Sequence, residues 1–181
     1  MTSFIVYACP VGPLAEQIET YLKESRRRYG PNAAHAYMPH CTLTGFFQDE
    51  KRALPGYASA LESALNRHHN QKTNTSVVVG EMVFREDWHG LMLEAEGLKQ
   101  LIQTFVFLAE SPTRLEDLRP KDWLHVSLAY DFLPQDGDRL KQLAIELVDE
   151  TVPVAWELRL YERDSAQQWT CHCCWPLKRA R

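Results

Sequence analysis

The apolar positions of the chain fall into short runs with two different periods. Phe4-Ile5-Val6-Tyr7-Ala8-Cys9 is a continuous run of strand formers closed by Pro10 and Gly12-Pro13, and it predicts a first, buried strand. Leu14, Ile18, Tyr21 and Leu22 then recur at helical offsets and run into Arg26-Arg27-Arg28 before Gly30-Pro31. That spacing predicts a surface helix with one buried face and a basic last turn.

From residue 40 onward one pattern appears twice. The first copy opens with His40-Cys41-Thr42-Leu43-Thr44-Gly45-Phe46-Phe47 and continues through a helical stretch carrying Tyr57, Ala60, Leu61, Ala64 and Leu65. It then gives strands over 77–84 and 91–95. The second copy opens with His125-Val126-Ser127-Leu128-Ala129-Tyr130-Asp131-Phe132, continues through Leu140, Leu143, Ala144, Leu147 and Val148, and gives strands over 154–161 and 168–175. Leu98, Leu101, Ile102, Phe105 and Val106 mark a further helix between the copies. This succession predicts two similar α+β lobes related by an approximate twofold axis. No Gly/Ser linker or low-complexity tract divides them, so residues 1–181 are expected to form a single two-lobed domain. Arg114 to Asp122 is the extended polar connection.

In a strand, residues two apart share a face, so His40 and Thr42 point one way while Cys41 and Leu43 point the other. The same holds for His125 and Ser127 against Val126 and Leu128. If the two motif strands lie side by side, they make a floor bearing two imidazoles and two hydroxyls, anchored by the alternate apolar residues. Such a floor suits cleavage of a phosphodiester without metal. One imidazole takes a proton from water and the other gives one to the leaving oxygen, each transfer contributing about 10²–10⁴-fold. Hydroxyls two residues along donate to the non-bridging oxygens as charge builds there.

Composition narrows the substrate. A hydrophobic content of 45% is ordinary for a globular protein, and a net charge of −4 argues against a surface built to grip long nucleic acid. A small nucleotide or an RNA end remains. No apolar run approaches the roughly 20 residues needed to cross a bilayer, and Met1-Thr2-Ser3-Phe4 lacks a signal-peptide signature. The chain is therefore expected to be cytoplasmic, away from membranes and monomeric.

The Pro39-His40-Cys41-Thr42-Leu43-Thr44-Gly45-Phe46-Phe47 and Leu124-His125-Val126-Ser127-Leu128-Ala129-Tyr130-Asp131-Phe132 segments resemble the paired signatures of the two-histidine phosphoesterase superfamily. They are most similar to the phosphoesterase domain of the TULA (suppressor of T-cell receptor signalling) proteins, and Gly90-Leu91-Met92-Leu93 fits as well. The ubiquitin-binding, SH3 and histidine phosphatase domains of those proteins are not expected here, so their signalling roles are not carried over. The resemblance implies a bilobal α+β fold, two pseudo-twofold-related lobes of antiparallel sheet with flanking helices and an active site in the cleft between them. It also implies cofactor-free, metal-independent hydrolysis of 2′,3′-cyclic phosphates or 2′–5′ linked oligonucleotides. By the same resemblance His125 is the base that activates water and His40 the acid, with the roles exchanged if the substrate binds the other way round.

A nucleotide needs a face for its base, and Tyr37, Phe47, Tyr130 and Phe132 are the candidates for stacking, each weighed against a place in the core. The Trp88-His89-Gly90 turn is a further segment that could reach the cleft. Cys171-His172-Cys173-Cys174 carries zinc-ligand residue types. In a regular strand, however, Cys171 and Cys173 share one face and His172 and Cys174 the other, and packing is the expected role. The odd number of cysteines, five, argues against a disulfide framework. His35, His68 and His69 lack the hydroxyl two residues on, and the basic ends at 26–28 and 178–181 are read as solvated. Two other functions stay open: a nucleotide-sensing module using the same cleft without turnover, and an interaction domain stabilised by zinc.

Overall fold

In the computed structural model, which describes residues 1–177, the N-terminal apolar run forms strand β1 (Thr2–Val11). Helix α1 (Pro13–Tyr29) follows, with proline in its first turn, where no N–H is missed, and Gly30 at φ +83° beyond its end. The remaining elements are β2 (Cys41–Thr42), β3 (Phe47–Asp49), α2 (Leu54–Asn70), β4 (Val78–Phe84), β5 (Trp88–Glu94), α3 (Glu96–Leu108), β6 (His125–Tyr130), α4 (Gly137–Leu147), β7 (Ala155–Arg163) and β8 (Trp169–Pro176). The basic segment Lys178 to Arg181 lies outside the described residues.

The strands make one eight-stranded antiparallel sheet in the order β4-β5-β6-β2-β1-β7-β8, with β3 also pairing β1. Phe4, Val6 and Ala8 alternate toward the helices and join Leu14, Ile18, Leu61, Leu101, Leu128 and Leu143 in the main core. Ile5, Tyr7 and Cys9 point to the other face, where they pack with Tyr161 in a smaller cluster. The continuous apolar run of β1 is thus explained by burial on both faces of a central strand.

Two expectations change. The copies do not each build their own half of the sheet. The hairpin β4–β5, which follows the first motif, pairs with the second motif strand β6. The hairpin β7–β8, which follows the second motif, pairs with β1 beside the first motif strand β2. Hydrophobic period identifies strands but not their neighbours, so the exchange is invisible in the pattern.

The first motif strand is also broken after Thr42. Leu43 N–H still donates to Val6 C=O (3.0 Å), but the chain then turns to residues 119–121, with Gly45 N–H on Arg119 C=O (2.8 Å) and Lys121 N–H on Leu43 C=O (2.9 Å). The Thr44 hydroxyl accepts the Val6 N–H (3.1 Å) that a continuing strand would have taken. The polar 114–122 connection is docked against the first motif by this detour.

At the end of β3 the buried Asp49 carboxylate accepts from Tyr57 Oη (2.5 Å), Thr113 Oγ1 (2.6 Å) and the Glu50 N–H (2.7 Å), tying α2 and the segment after α3 to the sheet. Asp49→Ala leaves these donors unpaired. We expect a loss of about 3 kcal/mol in stability by urea denaturation, with the midpoint lowered and the slope unchanged.

Candidate active site

The halves of the sheet meet where β2 and β6 pair, in the register Cys41 opposite Val126. Continued one residue either way, an antiparallel register sets His40 opposite Ser127 and Thr42 opposite His125. Cys41, Leu43, Val126 and Leu128 are fully buried on the helix side. His40, Thr42, His125 and Ser127 line a single cavity of about 630 Å³ on the opposite face.

The two histidines are held alike. His40 Nδ1–H donates to Met38 C=O (2.8 Å) and His125 Nδ1–H to Trp123 C=O (3.3 Å), in each case the carbonyl two residues earlier. A neutral ring so bonded carries its proton on Nδ1 and leaves Nε2 free to exchange one. Aromatic rings flank both imidazoles: Tyr7 (4.1 Å) and Tyr37 (5.3 Å) beside His40, Trp123 (3.9 Å) and Trp88 (5.1 Å) beside His125.

The hydroxyls are not alike. Trp88 Nε1–H donates to Ser127 Oγ at 2.9 Å. Indole N–H is only a donor, so the serine accepts there and keeps its own proton for a ligand. Gly90 makes room for this arrangement, because a Cβ at that position would lie 2.3 Å from Trp88 Cζ2 and 2.4 Å from Val126 C=O. Thr42 is not so pinned.

Tyr37 and Tyr130 line the cavity, but Phe47 and Phe132 do not. Phe47 is 0% exposed and packs on Phe4 and Tyr57. Its neighbour Phe46 takes the cleft position instead, because the chain rejoins β1 with Phe47 opposite Phe4. Phe132 packs on His89 and borders a separate depression. Tyr130 reaches the cleft because the β5–β6 register slips between His89 and Gly90, which inserts Leu128 as an extra residue and reverses the faces beyond it. Burial lifts the Tyr130 phenol to about 12, so its hydroxyl stays protonated.

Sequence reasoning missed Tyr7, Phe46, Arg85, Lys121 and Trp123, which also line the cavity. Trp88 was visible only as part of a turn of uncertain path. The cations come from the β4–β5 turn and the docked 114–122 segment, whose routes no periodicity encodes.

Elsewhere, a bulge between Leu160 and Tyr161 changes the faces of β8. Cys171 and Cys174 share the side of Tyr161 and Arg159, while His172 bonds Glu162 (2.6 Å) and Cys173 packs on the core. Among the described residues no group of three or more His, Cys, Asp or Glu side chains is placed to hold a metal ion, and all five cysteines are free thiols. Cys9 and Cys41 are pushed up to about 12 by burial. His35 and His68 do find hydroxyls, Ser25 (3.1 Å) and Thr104 (3.1 Å), but neither histidine lines the cleft.

No protein-family model matches the chain. Ecdysteroid-phosphate phosphatase of Bombyx mori is 31% identical over 167 residues, covering 89% of this chain and 24% of that protein. Ubiquitin-associated and SH3 domain-containing protein B of Homo sapiens is 30% identical over 165 residues, covering 89% of this chain and 25% of that protein. The chain therefore spans about a quarter of the length of these relatives. Among solved structures, E. coli LigT complexed with phosphate aligns over 99% of this chain and 100% of its own, at 15% identity and TM-score 0.49, too distant to bear on function.

Burial holds His40 down to about 4, with His125 adding to the effect and the Met38 bond opposing it. Burial also lowers His125, helped by Arg85 and Lys121 and opposed by the Trp123 bond. A histidine whose folded value lies below its unfolded value of about 6.5 stabilises the fold above that pH and loses the contribution as pH falls toward the folded value. Stability is expected to drop between pH 6.5 and 4, by about 3 kcal/mol from His40 alone. Urea melts across that window should show a shallower decline for His40→Gln.

Proposed function

We propose that this TULA-like two-histidine phosphoesterase hydrolyses a phosphodiester of a small nucleotide or RNA end, with 2′,3′-cyclic phosphates and 2′–5′ linkages as its substrate classes. The observation that carries the reading is the Cys41–Val126 register, which gives one cavity two imidazoles and two hydroxyls at crossed corners. Thr42 and Ser127 would hold the non-bridging oxygens. A water attacks phosphorus, one histidine takes its proton, the bond to the leaving ribose oxygen breaks, and the other histidine protonates that oxygen. These two transfers balance without a bound metal or cofactor. Tyr37, Tyr130 and Phe46 supply rings against which a base can stack.

The family resemblance makes His125 the base and His40 the acid. His40 then gains its proton only with the substrate, since the free protein keeps the ring neutral and an adjoining phosphate anion favours the charged form. The neutral state that its surroundings impose on His40 favours a second reading with the labels exchanged. The residual pH–rate profile of His40→Ala separates the two: its acid limb disappears if His40 is the base, its alkaline limb if His40 is the acid.

Incubation with 2′,3′-cyclic nucleotides, 2′–5′ and 3′–5′ oligonucleotides and cyclic dinucleotides should yield one phosphate isomer, identified by retention and mass. His40→Ala and His125→Ala should each lower kcat by about 10²–10⁴-fold with the fold retained, and chelators should have no effect. Turnover persisting in the double variant overturns the proposal. Trp88→Phe keeps an aromatic ring and removes the N–H to Ser127. It should lower kcat about tenfold, and that penalty should vanish in a Ser127→Ala background if the indole acts through the serine.

A further inference from the structure

The cleft has cations on both sides, but they are differently engaged. Arg119, which lines it beside Phe46, pairs with Glu116 (3.9 Å), and Arg163 lies over Tyr37 and Phe46 (5.7 Å each), whereas Arg85 and Lys121 stand on the His125 side. The imidazole of His40 is surrounded by Tyr7 and Tyr37, and the nearby charge it senses is that of His125. His125 instead senses Arg85 and Lys121, both lining the same cavity. The Arg85 guanidinium lies over Trp123 (5.2 Å) and Trp88 (5.7 Å), so two indoles orient it while leaving its N–H edge free. Among the described residues neither Arg85 nor Lys121 has a carboxylate within 4 Å. Asp87 and Asp131 also line the cavity but form no ion pair with them.

One phosphodiester carries a single negative charge, and the two hydroxyls and two histidines already answer it. We propose that Arg85 and Lys121 form a second anion subsite on the His125 rim, which binds a phosphate other than the one being cleaved. The preferred substrate therefore carries at least two phosphates, with its base on the aromatic His40 side. This rests on the phosphodiesterase reading above and narrows its substrate class. Both cations are exposed, so each is worth about fivefold in affinity, and the gain is screened by salt.

The test compares a nucleoside 2′,3′-cyclic phosphate with the same nucleoside bearing an additional 5′-phosphate, at low and physiological salt. The 5′-phosphorylated substrate should show the lower KM, by about 25-fold at low salt. Arg85→Gln and Lys121→Gln should each remove about fivefold of that advantage. For the substrate without the 5′-phosphate, kcat and KM should stay within about twofold when each variant is assayed at its own pH optimum. Equal KM values in the unaltered protein, or variants that weaken both substrates alike, overturn the subsite while leaving the catalytic reading in place. If neither substrate turns over, the catalytic reading fails. Calorimetric binding of a nucleoside 3′,5′-bisphosphate against a nucleoside 3′-phosphate then decides the subsite alone: a preference lost in the two variants upholds it, and equal affinity overturns it.

Discussion

The pairing of Cys41 with Val126 is the narrow join between the two halves of the sheet, and the relative placement of the two histidines and two hydroxyls follows from it. An antiparallel pair places the residues before and after it at crossed corners. That is why two His-X-hydroxyl tripeptides on separate strands become one four-cornered site. The join is buried on the helix side by Leu43 and Leu128, both at 1% exposure or less. A slip of one residue would turn the histidine and hydroxyl of the slipped strand into the core, so the packing of these apolar alternates fixes the chemistry on the other face.

Equivalence by fold does not make the two ends of the site equivalent by environment. Each imidazole has the same carbonyl bond, but one stands among phenols and the other against indoles over which Arg85 lies. The difference arises outside the motifs, in β1, the β4–β5 turn and the docked 114–122 segment. A near-symmetric frame thus acquires direction from its surroundings, which is what a reaction with distinct attacking and leaving oxygens requires.

The four central residues were legible because a strand has a strict period of two and because the same order of elements follows each histidine. The elements themselves followed from the same signals, as for α2, whose buried positions Tyr57, Ala60, Leu61, Ala64 and Leu65 repeat at helical spacing. Trp88-His89-Gly90, however, read as a turn before a strand at 91–95, belongs to β5, because pairing with β6 extends the strand to Trp88. The misplaced residues have physical reasons. Phe47 was offered as a stacking face, but after the break at Thr42 the chain re-pairs with β1 so that Phe47 stands opposite Phe4 in the core and Phe46 faces the cleft. Tyr130 does line the cavity, though through a bulge that leaves no mark in the sequence, and the same kind of bulge redistributed the C-terminal cysteines. Arg85 and Lys121 are polar residues in connecting segments, where the chain path depends on hydrogen bonds such as Lys121 to Leu43 rather than on any periodic burial.

The exchanged hairpins bear on how the architecture holds together. A lone copy of the repeat would present a motif strand with a bare edge and a hairpin with nothing to lean on, a pair of defects that a second copy cures in both directions. The sheet can be described as two strand-swapped repeats in one polypeptide, with β1 beside the junction and the cleft lying where the copies meet. Neither half can open without stripping the other of a neighbouring strand. The histidines, contributed one from each copy, come into register only when contacts far apart in sequence have formed, so assembly of the cleft and completion of the fold are one event.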